Sequence, residues 1–491
     1  MRKISSALFL IPLSTLCLTS PVQARLNTIT GGVTMGYDYD ETNYDRDDIE
    51  DSLLDRNTSQ QQVSIGPLFI FETTSSVDSL TFSYNPSFVY DFDDSQSDVD
   101  HDLSLSAYRD ISRQWRVELS ERFVFSDDPE LLGAETSSDY NRGRRRYWTN
   151  ELNANSSYTY DVGSTFGAGY TYRILRNDDT GIGGYEDYDR HIADLSLAHR
   201  INGEWNFSLF TNYTRGLFDP PEQETVTRTE IILEDLSPGI TDRIDTEDLS
   251  NDLSEYGAGG TLNWIYSTRK TFFVSYDYSA SFYDASLHND TKLHNLSFGA
   301  QYQHTRRLSF DFGGGPTYEK TETFDANWDY NAHLNLSYDI AEHSAISAGI
   351  EKGFAQENFS SNNNLLGRDR GLTEFWNYTL DFTHTLTADL TTTLYGSYRD
   401  ENQENILLGI VNDIQAENNL ASADREAFRE ESIFTRKIYE VGGSLSYTFL
   451  QWYTAALNYT YRKQDSELAH DSYDEHRVFL TLSFQKELFR W

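Results

Sequence analysis

The chain has 491 residues, is 38% hydrophobic and 14% aromatic, with 33 Tyr and 29 Phe, and carries a formal net charge of −39. A chain this acidic is repelled by phosphate backbones, which excludes nucleic acid as a partner. Its one cysteine, Cys17, lies in an apolar N-terminal run, so disulfides and thiolate metal or redox sites are excluded from the rest of the chain.

The N-terminus reads as a leader. Arg2 and Lys3 are followed by an apolar run over residues 8–18 and by the small-residue cleavage site Val22-Gln23-Ala24. This predicts a signal peptide at 1–24 and a single domain over 25–491. Leu16 is too large to precede a lipid-modified cysteine. Beyond the leader, no stretch approaches the ~20 apolar residues of a membrane helix. Modest hydrophobicity with many aromatics fits a barrel instead, in which only alternate residues face lipid.

Period-two alternation follows almost at once, from a first strand near residues 28–37. The third strand carries Leu80, Phe82, Tyr84, Phe88, Tyr90 and Phe92 on one side, and the fifth carries Trp115, Val117, Leu119, Phe123 and Phe125. The eleventh carries Phe272, Val274, Tyr276, Tyr278 and Phe282, and the fourteenth Trp328, Tyr330, Ala332, Leu334, Leu336 and Tyr338. Each pattern runs for roughly 10–14 residues, enough to cross a bilayer when tilted. Short connections such as 161–163 and 450–451 alternate with long ones such as 39–61 and 401–435. The expected fold is all-β: a transmembrane antiparallel up-and-down barrel of about 20 strands (roughly 18–22), with short periplasmic turns and long acidic extracellular loops. Trp115, Trp148, Trp205, Trp264, Trp328, Trp376 and Trp452 fall near strand ends, as interfacial girdles require. The last strand runs through Phe484 and the chain ends on Phe489 and Trp491, a pattern that looks like the assembly signal of outer-membrane barrels.

Few features carry chemistry. The first loop is acidic, and Asp45, Asp47, Asp48 and Asp51 are its candidates for calcium, although the spacing is not that of an EF-hand. No firm metal site or cofactor is expected beyond structural divalent cations. One loop is basic: Arg142, Arg144, Arg145 and Arg146 could narrow the pore, grip an acidic glycan or lipid phosphate, or pair locally with acidic neighbours. Strand parity points Arg116, Arg122, Arg173, Arg190 and Arg200 into the lumen, and also Glu255, Asp277, Asp311, Glu319, Asp329 and Asp381 on another wall. That arrangement resembles the transverse field of a porin constriction, although Glu118, Glu151 and Asp194 share the basic wall. Inner-wall Asn85, Tyr108, Asn153, Asn206, Asn327, Asn331, Asn377 and Tyr395 suit sugar hydroxyls. His191, His199, His294, His333 and His384 are scattered without metal-site spacing. No serine is marked as a nucleophile, so the chain reads as a non-enzyme.

Residues 64–92 and 101–129 resemble the β-barrel porin type 2 family of exopolysaccharide and exosortase gene clusters. The elements that carry the resemblance are Pro67-Leu68, Tyr84 with Pro86, His101-Asp102, and Ser126 with Pro129. The resemblance implies a conduit for export or handling of a surface polysaccharide. Two alternatives stand beside it: a general or solute-selective diffusion porin, and the sheath of a porin–cytochrome electron conduit. The expected location is the outer membrane of a Gram-negative bacterium. The expected partners are outer-membrane lipid and lipopolysaccharide, the barrel-assembly machinery and periplasmic polysaccharide-export components.

Overall fold

A computed structural model describes residues 25–44, 58–93, 95–128, 131, 146–178, 187–219, 251–284, 290–321, 326–356, 358–359, 372–404, 433–467 and 472–491. The expected leader at 1–24, the calcium candidates Asp45, Asp47, Asp48 and Asp51, and Arg142, Arg144 and Arg145 lie outside the described residues.

Twenty strands follow one another in an antiparallel sheet. The first ten are β1 (Leu26–Tyr44), β2 (Thr58–Thr74), β3 (Asp78–Asp91), β4 (Gln96–Asp110), β5 (Trp115–Ser126), β6 (Tyr147–Asp161), β7 (Ser164–Asn177), β8 (Tyr188–Arg200), β9 (Trp205–Phe218) and β10 (Leu253–Ser267). The rest are β11 (Lys270–Tyr283), β12 (Thr291–Gln303), β13 (Leu308–Thr321), β14 (Asn327–Ala341), β15 (Ser344–Gln356), β16 (Leu372–Thr387), β17 (Leu390–Glu404), β18 (Ile433–Phe449), β19 (Tyr453–Ser466) and β20 (Tyr473–Arg490). Each pairs with its sequence neighbours, and β20 pairs with β1, so the sheet closes with no free edge. Closure satisfies every backbone donor row between strands, the condition for crossing lipid with strands.

The strands are longer than the alternation indicates: β1 has 19 residues and the shortest, β5, has 12. The apolar stripe ends before the ladder does. On the loop side, strand pairs such as Asp40↔Gln60 and Glu401↔Arg436 carry polar side chains while the backbone pairing continues. Sequence reading by hydrophobicity therefore stops where the apolar stripe ends and not at the strand end.

Alternation sorts the side chains. Val33, Met35, Val63, Ile65, Leu394, Val441, Leu457, Leu480 and Leu482 point outward and are exposed, forming a band of the kind that faces hydrocarbon, typically ~25 Å tall. At the short-turn end Trp205 stacks on Trp264 at 5.9 Å, and Trp264 packs on Phe272 at 5.6 Å. Lys486 Nζ sits 4.4 Å from the Trp452 ring and Lys270 Nζ 5.3 Å from the Tyr302 ring, as lysines do when they reach past a girdle to water. Trp148, Trp328 and Trp376 lie toward the opposite ends of their strands, and Trp328 is 70% exposed.

The seam contains one irregularity. Ile29 pairs with Phe489 but Thr30 pairs with Glu487, so Leu488 is an extra residue in β20. Without that bulge, Phe489 would share the lumen parity of Phe479 and Gln485. With it, Phe489 returns to the outer face that Phe484 occupies opposite Val33. Trp491 then exchanges both backbone hydrogen bonds with Asn27, at 2.9 and 3.1 Å.

Candidate functional site

The inner wall is where solvent, charge and aromatic rings meet, and its residues come from the parity opposite to the apolar band. Arg116, Arg122, Arg173, Arg190 and Arg200 occupy inward positions on β5, β7 and β8. Glu255, Asp277, Asp311, Glu319, Asp329 and Asp381 occupy inward positions on β10, β11, β13, β14 and β16. Two of the five arginines, Arg116 and Arg122, are paired with carboxylates where they stand. Arg116 bonds Asp110 at 2.7 Å and lies 3.9 Å from Glu118, and Arg122 bonds Asp102 at 3.3 Å. Glu151 stands between Arg122 and Arg173 in register, and Arg173 faces Arg190. Arg200 Nε donates to the backbone carbonyl of Asn202.

A second arginine wall was not singled out by sequence reading. On β17 to β20, Arg436 bonds Glu401 at 3.0 Å, Arg462 bonds Glu440 at 3.1 Å and Glu475 at 2.8 Å, and Arg477 bonds Asp38 and Asp128 at 2.8 Å each. Arg436 and Glu401 are fully buried. Removing one member of such a pair costs about 3–5 kcal/mol, because its partner is left charged and dry. Basic groups thus line both β5–β8 and β17–β20. By contrast, Asp194, Asp277 and Asp381 have no basic partner among the described residues. The uncompensated charge of the described inner wall is negative.

Two segments outside the strands fold into the lumen at the loop-side end. Asn358 and Phe359 follow β15 and reach the wall formed by β8 to β11. Asn358 Nδ2 donates to Glu255 Oε1 at 2.7 Å and to Ser281 Oγ at 2.8 Å, and Tyr283 Oη donates to Asn358 Oδ1 at 2.7 Å. Phe359 packs on Tyr188 and Phe218, with ring centroids 5.8 and 5.7 Å apart, and Arg190 lies 4.1 Å from its ring. Val124, Tyr147, Leu175, Tyr188, Phe218, Leu253 and Phe359 form one buried apolar cluster, against which Leu131 and Tyr283 pack. At the end of β5, Asp128 reaches Arg477 on β20, and Gln62 on β2 donates to Asp127 at 3.5 Å. Sequence reading had no periodic signal for Asn358 and Phe359, which lie beyond the alternating segments.

Further along the inner wall, aromatic rings lie flat over glycines of neighbouring strands. A Cβ at Gly442 would lie 2.3 Å from Tyr395 Cζ, and one at Gly299 would lie 2.3 Å from Phe273 Cζ. Phe273 also covers Gly313 and stacks on His333 at 6.0 Å, while His333 Nε2 lies 3.2 Å from Asp311. The missing side chain leaves a slot for the ring, a known way of rescuing a strand glycine. Rings held this way present a face to the lumen without projecting across it. Tyr395 is among the sugar candidates named above; Phe273 was missed because phenylalanine reads as a lipid-facing residue.

Arg146, the described member of the basic loop, contacts Asp98, bonds Asp100 at 2.8 Å and lies 5.0 Å from the Phe125 ring. Its charge is spent on neighbouring carboxylates. Among the described residues no group of His, Cys, Asp and Glu has the geometry of a metal site.

No family model matches the chain, and no curated protein matches it. Solved structures with a similar fold include OccAB4 of Acinetobacter baumannii, at a TM-score of 0.40 and 11% identity over 95% of this chain and 99% of that one. They also include OpdK of Pseudomonas aeruginosa, solved with vanillate, at a TM-score of 0.40 and 10% identity over 93% and 99% of the two chains. The siderophore receptor PirA of Acinetobacter baumannii gives 0.49 and 9% over 93% and 80%. Similarity of that degree says nothing about what passes through the lumen.

Proposed function

We propose that this chain is an outer-membrane diffusion channel for small polar solutes, narrowed at its loop-side end by its own chain and selective for cations. The observation that carries the reading is the contact of Asn358 with Glu255 and Ser281, which brings residues that follow β15 onto the wall of β10 and β11. A lumen so occupied favours solutes of limited size over a polymer or an enclosed protein. The wide lumen needed to sheathe a cytochrome fits it poorly. The acidic excess left by Asp194, Asp277 and Asp381 supports a cation preference, since charges lining a low-dielectric cleft raise the local concentration of counter-ions.

Liposome swelling with sugars and amino acids of graded size, together with reversal potentials in a salt gradient, tests the proposal. Size-graded permeation and a cation-selective reversal potential are expected. Anion selectivity, or exclusion of monosaccharides, would count against it.

Polysaccharide handling is the second reading. The flat ring of Tyr395 and the inner-wall amides of Asn153, Asn206, Asn331 and Asn377 favour it, as surfaces for sugar faces and hydroxyls. Unchanged surface polysaccharide in a deletion strain would remove it.

A further inference from the structure

The outer wall carries its own repeated device. At four places a tyrosine hydroxyl meets a histidine Nδ1 on the next strand: Tyr84 with His101 at 2.9 Å, Tyr170 with His191 at 2.8 Å, Tyr276 with His294 at 2.8 Å, and Tyr459 with His476 at 3.1 Å. The pairs fall on β3–β4, β7–β8, β11–β12 and β19–β20. In three of them a second tyrosine stands opposite the histidine in register: Tyr172, Tyr278 and Tyr461. These tyrosines stand at equal distances from the first residue of their strands. On β15, in the interval the pattern skips, the residue at that distance is Lys352, packed 4.1 Å from the Tyr330 ring.

Strand rise and tilt put this level about 20 Å above the short-turn end, near the top of the apolar band. A tyrosine that donates to Nδ1 fixes the tautomer with hydrogen on Nε2. The imidazole then offers a donor at the height where lipid headgroups begin.

Above His294, on the same outer face, β12 carries Lys292 and β13 carries Lys320, directly opposed in register. Like charges at opposed positions repel. Lys292 Nζ lies 5.3 Å from the Phe282 ring, and among the described residues no carboxylate pairs with either lysine. Three other outward cations near this level are neutralised, Arg176 by Asp189 at 3.0 Å, Arg215 by Asp284 at 2.5 Å and Lys463 by Asp465 at 2.9 Å, and Lys437 stands between Asp400 and Asp465 in register. In a chain of net charge −39, two adjacent ammonium groups with no carboxylate partner among the described residues leave room for an anion from outside the protein.

We propose that Lys292 and Lys320, with the Nε2 donor of His294 below them, hold a phosphate of an outer-leaflet lipid headgroup. The inference rests on the outer-membrane placement proposed above. The bilayer supplies the lipid at this height, and phosphate oxygens match ammonium and imidazole donors.

The test uses the full-length barrel in phosphatidylcholine nanodiscs doped with lipid A, with bound lipid counted by native mass spectrometry. Parallel samples contain dephosphorylated lipid A, or lipid A with excess inorganic phosphate. Retention of lipid A by the native chain is expected to fall about tenfold in the Lys292→Gln, Lys320→Gln double variant, the equivalent of one lost charge-assisted hydrogen bond. His294→Phe, which keeps a ring in the belt, should give a smaller loss in the same direction. Dephosphorylated lipid A should not be retained, and inorganic phosphate should not displace the lipid. Equal retention by the double variant, or displacement by inorganic phosphate, overturns the headgroup site. Channel conductance recorded from the same preparations separates the two proposals: normal conductance with no lipid A retained overturns the headgroup site alone, whereas a barrel that does not insert and conduct overturns the channel reading.

Discussion

Phe359 occupies the space that a side chain at Gly216 would fill: a Cβ built there lies 2.7 Å from the Cε1 of the ring. Residue 359 is seated by the absence of a side chain on β9 as much as by contact with Tyr188 and Phe218. Gly216→Leu should therefore unseat the segment that follows β15 while leaving the ladder intact. Phe359→Ala should do the same from the other side, losing about 3 kcal/mol of docking energy. Both variants are expected to raise single-channel conductance. A conductance equal to that of the parent would mean that the segment does not narrow the pore.

Gly442→Ala is expected to act in the opposite direction. Its Cβ would lie 2.3 Å from the Tyr395 ring, which must lift off the wall and enter the lumen. Tyr395 also loses its 3.0 Å contact with Thr460 Oγ1 when it moves. Lower conductance and slower sugar permeation should follow, and Tyr395→Phe in the same background should not restore them, because the displaced ring remains.

Deleting Glu487 and Leu488 together removes the bulge and places Phe489 opposite Thr30, at the lumen parity. The expected result is a sharp fall in folded barrel, read as loss of heat-modifiable mobility on a gel. The substitution Leu488→Ala keeps the residue count and should assemble nearly normally. Equal assembly of the deletion and the substitution would show that outward placement of the terminal aromatics is unimportant.

The β18–β19 turn has Leu450 at φ 51° and Gln451 at φ 65°. Two consecutive positive φ values define the turn type that favours Asn-Gly, and neither residue present is suited to it. Gln451→Gly should stabilise the barrel by about 1 kcal/mol, measured as a higher urea midpoint with unchanged slope.

Asp187 lies just before β8 and outside it. Burial pushes its carboxyl above the usual range, against hydrogen bonds from Asn177 N at 2.6 Å and Asn177 Nδ2 at 3.1 Å. A raised folded-state value means that the folded chain binds the proton more tightly. The associated stability is fully present below the unfolded carboxylate range and is lost as pH rises through the folded value. Asp187→Asn should accordingly match the parent in acid and equal or exceed it at neutral pH, in urea unfolding followed across that window.

The barrel was legible in the sequence because a closed sheet with one apolar face imposes a strict two-residue period. Leu480, Leu482 and Phe484 show that period as plainly in letters as in space. Strand length was less legible, since Asp38 and Asp40 belong to β1 but carry no apolar marker. Lumen parity placed Arg122 and Arg173 on the inner face but could not foretell their partners, because Asp102 and Glu151 stand on other strands whose register depends on turns and bulges. Arg436, Arg462 and Arg477 obey the same parity and were open to the same reading. Phe359 was not: nothing in its local sequence distinguishes an aromatic that crosses the lumen from one that leaves it.

The rings laid over glycines have an electrical consequence. A side chain that swings between rotamers inside a pore modulates its resistance and appears as flicker in the open-state current. Tyr395 is held by Gly442 beneath it and by Thr460 at its hydroxyl, and Phe273 by two glycines and a stacked imidazole. In the proposed channel, lumen aromatics with so little rotational freedom give a quiet open level, so that the open-state current trace should be flat.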